Sequence, residues 1–127
     1  MIRLDHRDPV PENLRGAVIA LGNFDGFHLG HQAVVREAVE WAWEQGRPAI
    51  VATFDPHPAR FFQPAALPFR LTSIAQRARL FAAAGADATL VLAFDAAMAK
   101  LDPAAFVDLL ADRFAASAVV PASASSK

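Results

Sequence analysis

The sequence contains no cysteine. That excludes disulfides, thiolate nucleophiles and cysteine-ligated zinc. Neither charge is in surplus: 12 Lys and Arg stand against 13 Asp and Glu, a net charge of −1. Nothing in that balance points to a nucleic-acid backbone as the main partner, because neutralising phosphates along a strand calls for a basic excess. No apolar run approaches the ~20 residues that cross a bilayer. The opening stretch MIRLDHRDPVPENLRG is polar and charged, without the apolar centre of a secretory leader, and His6 within it is read as unremarkable. The expectation is a soluble cytoplasmic protein with neither nucleic acid nor membrane as partner. With 127 residues, 54% of them hydrophobic, the chain can form one domain that buries roughly two-thirds of its unfolded surface.

Residues 16–21 (GAVIAL) form a continuous apolar run, which suits a strand buried on both faces of a parallel sheet. From about Leu29 the period becomes helical. Val34, Val35, Ala38, Trp41, Ala42 and Gln45 share one side, Arg36, Glu37, Glu40 and Glu44 lie opposite, and Gly46 is placed to end the helix. Of two tryptophans two apart, Trp41 is assigned to the core and Trp43 to the partly exposed side. Residues 49–54 (AIVATF) and 88–94 (ATLVLAF) are further strands. Ser73 with Gln76 fits a capping box opening a helix that closes at Gly85. Asp102-Pro103 gives an N-cap followed by proline at the first helical position, for a helix to about Phe114. Residues 118–120 begin a last strand, and residues 121–127 (PASASSK) read as a flexible tail. The domain is therefore set at 1–120. The order β-α-β-α-β-α-β predicts an α/β fold, a Rossmann-like parallel sheet with helices on both faces. In such sheets ligands lie beyond the carboxyl ends of the strands, where strand order reverses.

Directly after the first strand comes GNFDGFHLGH, residues 22–31. A helix start offers unpaired N–H groups and the positive end of the macrodipole, an anion site. His28 and His31, three apart, fall on one face of the first turn, where each can donate to a single oxyanion. Gly22 and Gly26 suit positive φ and close backbone approach, and Gly30 leaves room for a ligand on the helix. Asp25 can accept a hydrogen bond from ligand or loop. The stretch is neither a G-x-G-x-x-G dinucleotide motif nor a P-loop. Two other readings stand beside a phosphate pocket: zinc held by His28 and His31 with Asp25 or His57, and histidines that merely cap a strand-to-helix turn.

After the second strand, TFDPHPARFF (residues 53–62) sets His57 between Pro56 and Pro58. Two prolines make a stiff extended loop. Parallel topology puts it on the same sheet edge as the first motif. Phe61 and Phe62 can wall a flat aromatic ligand or fold back onto the core, and periodicity does not choose between the two.

The run Gly22-Asn23-Phe24-Asp25-Gly26-Phe27-His28-Leu29-Gly30-His31 resembles the GxFDGxHxGH motif of bacterial FAD synthetases, the FMN adenylyltransferase module of bifunctional riboflavin kinase/FAD synthetases in the HxGH nucleotidyltransferase superfamily. Thr53 to Pro58 (TFDPHP), Leu71-Thr72-Ser73 and Leu101 to Phe106 (LDPAAF) are similar to further family stretches, so the resemblance covers residues 16–120. It implies an HxGH-type fold and transfer of AMP from ATP to FMN in the presence of Mg²⁺, giving FAD and pyrophosphate without a covalent protein intermediate. His28 and His31 carry over as the pair on the ATP phosphates. Gly22, Asn23, Phe24, Asp25, Gly26 and Gly30 carry over as the nucleotide pocket, and Pro56, His57, Pro58 and Phe62 as the flavin wall. No protein metal ligand is implied.

Two family motifs do not follow residue 120: a glycine-acidic-Phe-x-Phe-Gly stretch and an Ile-Ser-Ser-Thr-x-x-Arg segment at a later helix start. The riboflavin kinase domain is missing as well. The expectation is a module incomplete at its C-terminus, with an unpaired sheet edge and with weaker turnover than a chain carrying both motifs. The alternatives are a non-catalytic nucleotide- or flavin-binding fragment and another HxGH nucleotidyltransferase.

Overall fold

The structure is a computed structural model that describes residues 2–5, 8–22, 24, 29–54, 74–92 and 103–121. Its strands are β1 (Ile2–Asp5), β2 (Val18–Leu21), β3 (Ala49–Phe54), β4 (Ala88–Leu92) and β5 (Ala118–Pro121). Among the described residues the helices are α1 (Leu29–Gln45), α2 (Ile74–Ala83) and α3 (Pro103–Phe114), with a 3-10 turn at Glu12–Leu14. The strands form one parallel sheet in the order β1-β4-β3-β2-β5.

Alternate residues of the central strands feed two cores, as a doubly covered parallel sheet requires. Val18, Ala20, Ala49 and Val51 pack with Val34, Val35, Ala38 and Ala42 of α1 and Phe81 of α2. Ile19, Leu21, Ile50 and Ala52 pack on the opposite face with Leu14 and with Leu110 and Phe114 of α3. Helices therefore cover both faces. From β2 the chain steps outward to β3 and β4, then returns to the other side of β2 as β5. Strand order reverses at β2.

All three helices end in the same way. Behind α1, the Gly46 N–H donates to Trp43 O (3.2 Å) and the Arg47 N–H to Ala42 O (2.8 Å). Behind α2, Gly85 donates to Ala82 O (3.0 Å) and Ala86 to Phe81 O (3.1 Å). Behind α3, Ala115 donates to Asp112 O (3.2 Å) and Ala116 to Ala111 O (2.9 Å). These paired bonds make the Schellman arrangement, which places the residue after the cap in the left-handed region. Gly46 (φ +63°) and Gly85 (φ +102°) occupy that position as their sequence placement anticipates, whereas α3 uses Ala115 at φ +49°.

Four sequence expectations need correction or adjustment. The polar leader contains a strand: in β1 Leu4 is buried between exposed Arg3 and Asp5, and it pairs with Leu90 of β4. An edge strand of four residues needs one apolar side chain on its covered face, so it carries no apolar run. Trp41 is 41% exposed and not core; Trp43 is 84% exposed. The buried stripe of α1 is filled by Val34, Val35, Ala38 and Ala42, which fit against the sheet, and Trp41 lies at its margin. The first strand is shorter than 16–21, starting at Val18 after Gly16 at φ +83°. β5 includes Pro121, opposite Leu21, one residue past the expected domain limit. A proline is tolerated there because β5 is an edge strand of the described sheet. Ser73, Asp102, residues 93–94 and residues 122–127 lie outside the described residues.

Candidate functional site

β2 leaves the sheet at Leu21, and the Gly22 N–H still donates to Ala52 O of β3 (3.1 Å). The chain then bends at Phe24, which has φ +53°. Gly22 is not among the residues with positive φ, so the left-handed position expected of that glycine is taken by Phe24. A left-handed non-glycine costs about 1–2 kcal/mol and persists where surrounding structure fixes it. Here the fixing contacts are aromatic. The Phe24 side chain is fully buried. It stands edge-on to the His31 ring (centroids 5.3 Å apart, 81° between planes) and to Phe81 of α2 (5.6 Å, 75°). One ring thus ties the exit of β2 to the first turn of α1 and to α2. Edge-to-face pairs of this kind contribute about 0.5–1.5 kcal/mol beyond their burial.

His31 is the third residue of α1 and is half-buried, next to half-buried Gly30 and exposed Leu29. Its ring is oriented by Phe24 at the carboxyl edge of the strand where the order reverses. The helix start adds backbone N–H groups and a positive dipole end at the same place. The arrangement suits a phosphate-bearing ligand. Of the other first-motif residues, Asn23, Asp25, Gly26 and His28 lie outside the described residues.

The second motif starts at the neighbouring strand end, since Leu21 of β2 registers with Ala52 of β3. Its described members are Thr53, fully buried, and Phe54, half-buried. Two helices grip this end from opposite faces. Arg77 of α2, only 2% exposed, donates from Nη1 to Thr53 Oγ1 (2.9 Å) and to the Phe54 carbonyl (3.3 Å). Phe106 of α3 packs on the Phe54 ring at 5.9 Å with 37° between planes. Phe106 closes the LDPAAF stretch, so two family-like stretches meet through this contact. Pro56, His57, Pro58 and Phe62 lie outside the described residues.

Arg77 is the side chain that a motif-based reading passes over. The signal for it is periodicity: Ile74, Arg77 and Phe81 are the buried residues of α2, and a cation occupies the middle of an apolar stripe. Among the described residues no three His, Asp or Glu side chains cluster as a metal site. Among them, too, no helix is long and apolar enough to cross a membrane.

A family model described as FAD synthetase matches residues 10–122. The chain belongs to the FAD synthetase family. The matched range runs from the 3-10 turn through β5 and holds both motifs, while β1 precedes it. Similar proteins include a bifunctional riboflavin kinase/FMN adenylyltransferase of Pseudomonas fluorescens, 44% identical over 77% of this chain and 31% of its own length. A protein of the same name from Listeria monocytogenes is 41% identical over 72% of this chain and 29% of its length. One described as a putative bifunctional enzyme, from Geobacillus thermodenitrificans, is 38% identical over 74% and 51%. The chain thus spans about a third of the first two relatives. Among solved structures, one titled macrolide-efflux protein from Streptococcus pneumoniae superposes with a TM-score of 0.76 at 25% identity, covering 95% of this chain and 41% of that one. A universal stress protein from Archaeoglobus fulgidus shares the fold at a TM-score of 0.54 and 18% identity, over 83% of this chain and 74% of that one.

Proposed function

We propose that this chain carries the adenylyl-transfer step of FAD synthesis. A phosphate oxygen of FMN attacks the α-phosphorus of ATP. The new P–O bond forms as the bond from that phosphorus to the oxygen bridging to the β-phosphate breaks. Pyrophosphate leaves, and FAD is the product. Such a displacement needs positioning and charge stabilisation rather than a covalent intermediate. Mg²⁺ typically keeps several waters and binds through substrate phosphates, so it enters this reading with the ATP. Both substrates are soluble, and the cytoplasm is where the reading puts the reaction.

The observation that carries the reading is the oriented His31 ring on the first turn of α1, at the strand where order reverses, within a family-matched motif. In this reading His28 and His31 donate to the ATP phosphates and to the charge that develops on the transferred group. Gly22, Asn23, Phe24, Asp25, Gly26 and Gly30 shape the nucleotide pocket, with Phe24 acting through its backbone while its ring serves the core. Pro56, His57, Pro58 and Phe62 wall the flavin. The relatives' names, each pairing riboflavin kinase with FMN adenylyltransferase, support the choice of FMN as acceptor.

The test is incubation of the purified chain with FMN, ATP and Mg²⁺, following FAD by chromatography and pyrophosphate by a coupled assay. FAD and pyrophosphate should appear in equal amounts above a protein-free control. No FAD, together with no binding of FMN or MgATP, would overturn the reading. Product from a different phosphorylated acceptor, and none from FMN, would replace it with another transferase of the superfamily.

A further inference from the structure

We propose that Arg77 is a positioning residue for the acceptor. Its buried guanidinium fixes the last two residues of β3, from which the sequence runs directly into residues 55–62. The inference rests on the adenylyl-transfer reading, which assigns that segment to the flavin.

Three observations converge on it. First, Arg77 occupies a core position: with Ile74 and Phe81 it forms the buried face of α2, and it is 2% exposed. Removing a cation from water costs several kcal/mol even after relaxation, and an apolar side chain of similar volume is often as stable or more so. Packing alone therefore does not account for an arginine here. Second, one guanidinium nitrogen bonds two acceptors at the end of β3. Nη1 bonds the Thr53 hydroxyl at 2.9 Å and the Phe54 carbonyl at 3.3 Å. Both acceptors belong to the final residues of β3, immediately before the Asp-Pro-His-Pro run. Third, the grip is two-sided. Phe106 of α3 holds the Phe54 ring from the opposite face at 5.9 Å, so the end of β3 is fixed by a polar contact on one side and an aromatic one on the other.

The consequence is mechanical. Residues 55–62 follow that strand end directly in sequence, so the end of β3 is their anchor point on the sheet. A tilt at Phe54 would displace whatever ligand group those residues contact, and a misplacement of about 1 Å at a reacting centre can cost ~10²-fold in rate. An arginine suits the task better than a lysine. Its delocalised guanidinium is more weakly hydrated and so easier to bury, while an ammonium is a compact, strongly hydrated charge.

The experiment compares wild type with Arg77→Met, Arg77→Lys and Thr53→Val. Each is checked for folding by circular dichroism, then for kcat, for KM toward FMN and toward MgATP separately, and for amide hydrogen exchange. In Arg77→Met, KM for FMN should rise at least tenfold while KM for MgATP stays within twofold. The Thr53 and Phe54 amides should exchange at least tenfold faster, with β2 unchanged. Arg77→Lys should recover part of both losses, and Thr53→Val should show a smaller shift in the same direction. If Arg77→Met does not fold, the lysine and valine variants carry the same comparison. Equal rises in both KM values, or unchanged FMN affinity in a folded variant, would overturn the proposal. If wild type neither forms FAD nor binds FMN or MgATP, the transfer reading falls by itself. Exchange at Thr53 and Phe54 then still decides whether Arg77 fixes the end of β3, and unchanged exchange would reject that.

Discussion

Among the described residues, two non-glycines have left-handed backbone, and they sit at opposite edges of one sheet. Ala115 (φ +49°) lies at the amino edge, between α3 and β5; Phe24 (φ +53°) lies at the carboxyl edge, just after β2. At the amino edge the conformation completes a hydrogen-bonded helix end, as glycines do behind α1 and α2. The surroundings there are of the same kind. Gly16 N–H donates to Phe114 O (2.9 Å), Ser117 Oγ to Gly16 O (2.8 Å), and Ala49 N–H to the Asp87 carboxylate (2.8 Å). Each bond joins segments that are neighbours along that edge but far apart in sequence. At the carboxyl edge the strained residue instead sends its ring under the first turn of α1, and a buried arginine grips the neighbouring strand end. One edge uses unusual backbone to satisfy hydrogen bonds. The other accepts strain and a buried charge to hold groups in position, which is what a ligand site requires.

If the two edges differ in this way, removing the side chain from each left-handed position should have opposite signs. Phe24→Gly relieves the backbone but deletes a fully buried ring, and truncating buried phenylalanine costs about 3–5 kcal/mol. The urea midpoint should fall sharply; an unchanged midpoint would mean the ring is not part of the core. Next in size is His31→Ala. Loss of one charge-stabilising donor costs ~10²–10³ in rate, so FAD formation should drop by that factor. Stability should fall only by about 0.5–1.5 kcal/mol, from the lost ring contact with Phe24. Rates within threefold of wild type would remove His31 from the catalytic set.

Gly85→Ala tests the amino edge directly. It imposes an L side chain at φ +102° and brings Cβ to 3.0 Å from Val39 Cγ1. Stability should fall by about 1–3 kcal/mol with the KM values for FMN and MgATP unchanged; a selective change in either KM would blur the division between the edges. The smallest effect is a gain. Ala115→Gly removes a left-handed cost of about 1–2 kcal/mol, partly offset by about 0.4–1 kcal/mol of extra freedom in the unfolded chain. The thermal midpoint should rise slightly, and a fall would show that the alanine methyl packs more usefully than its conformation costs.

The same contrast explains what could be read from the sequence. The strands from β2 to β5 are apolar runs and the helices carry caps or terminal glycines, so the α/β order and the site's edge follow from pattern alone. β1 is not legible because, in this short edge strand, buried Leu4 stands between charged neighbours and makes no apolar run. Trp41 fits the helical spacing of the apolar stripe yet lies at its margin, because the sheet accepts the alanines and valines of α1. At the site, the histidine motif is visible as a string. Its supports are not: positive φ is assigned by default to glycine, yet Phe24 adopts it, and Arg77 lies 24 residues from its hydroxyl partner in a helix outside both motifs.

The central claim, that ligands meet the carboxyl edge and leave the amino edge untouched, is tested most directly by amide chemical-shift mapping of the isotope-labelled chain titrated with MgATP and then FMN. The account predicts that MgATP shifts the amides of Gly22, Gly30, His31 and Gln32, that FMN adds Thr53 and Phe54, and that Gly46, Gly85, Asp87 and Ala116 stay in place. Shifts concentrated on that second group, with the His31 turn silent, would contradict it.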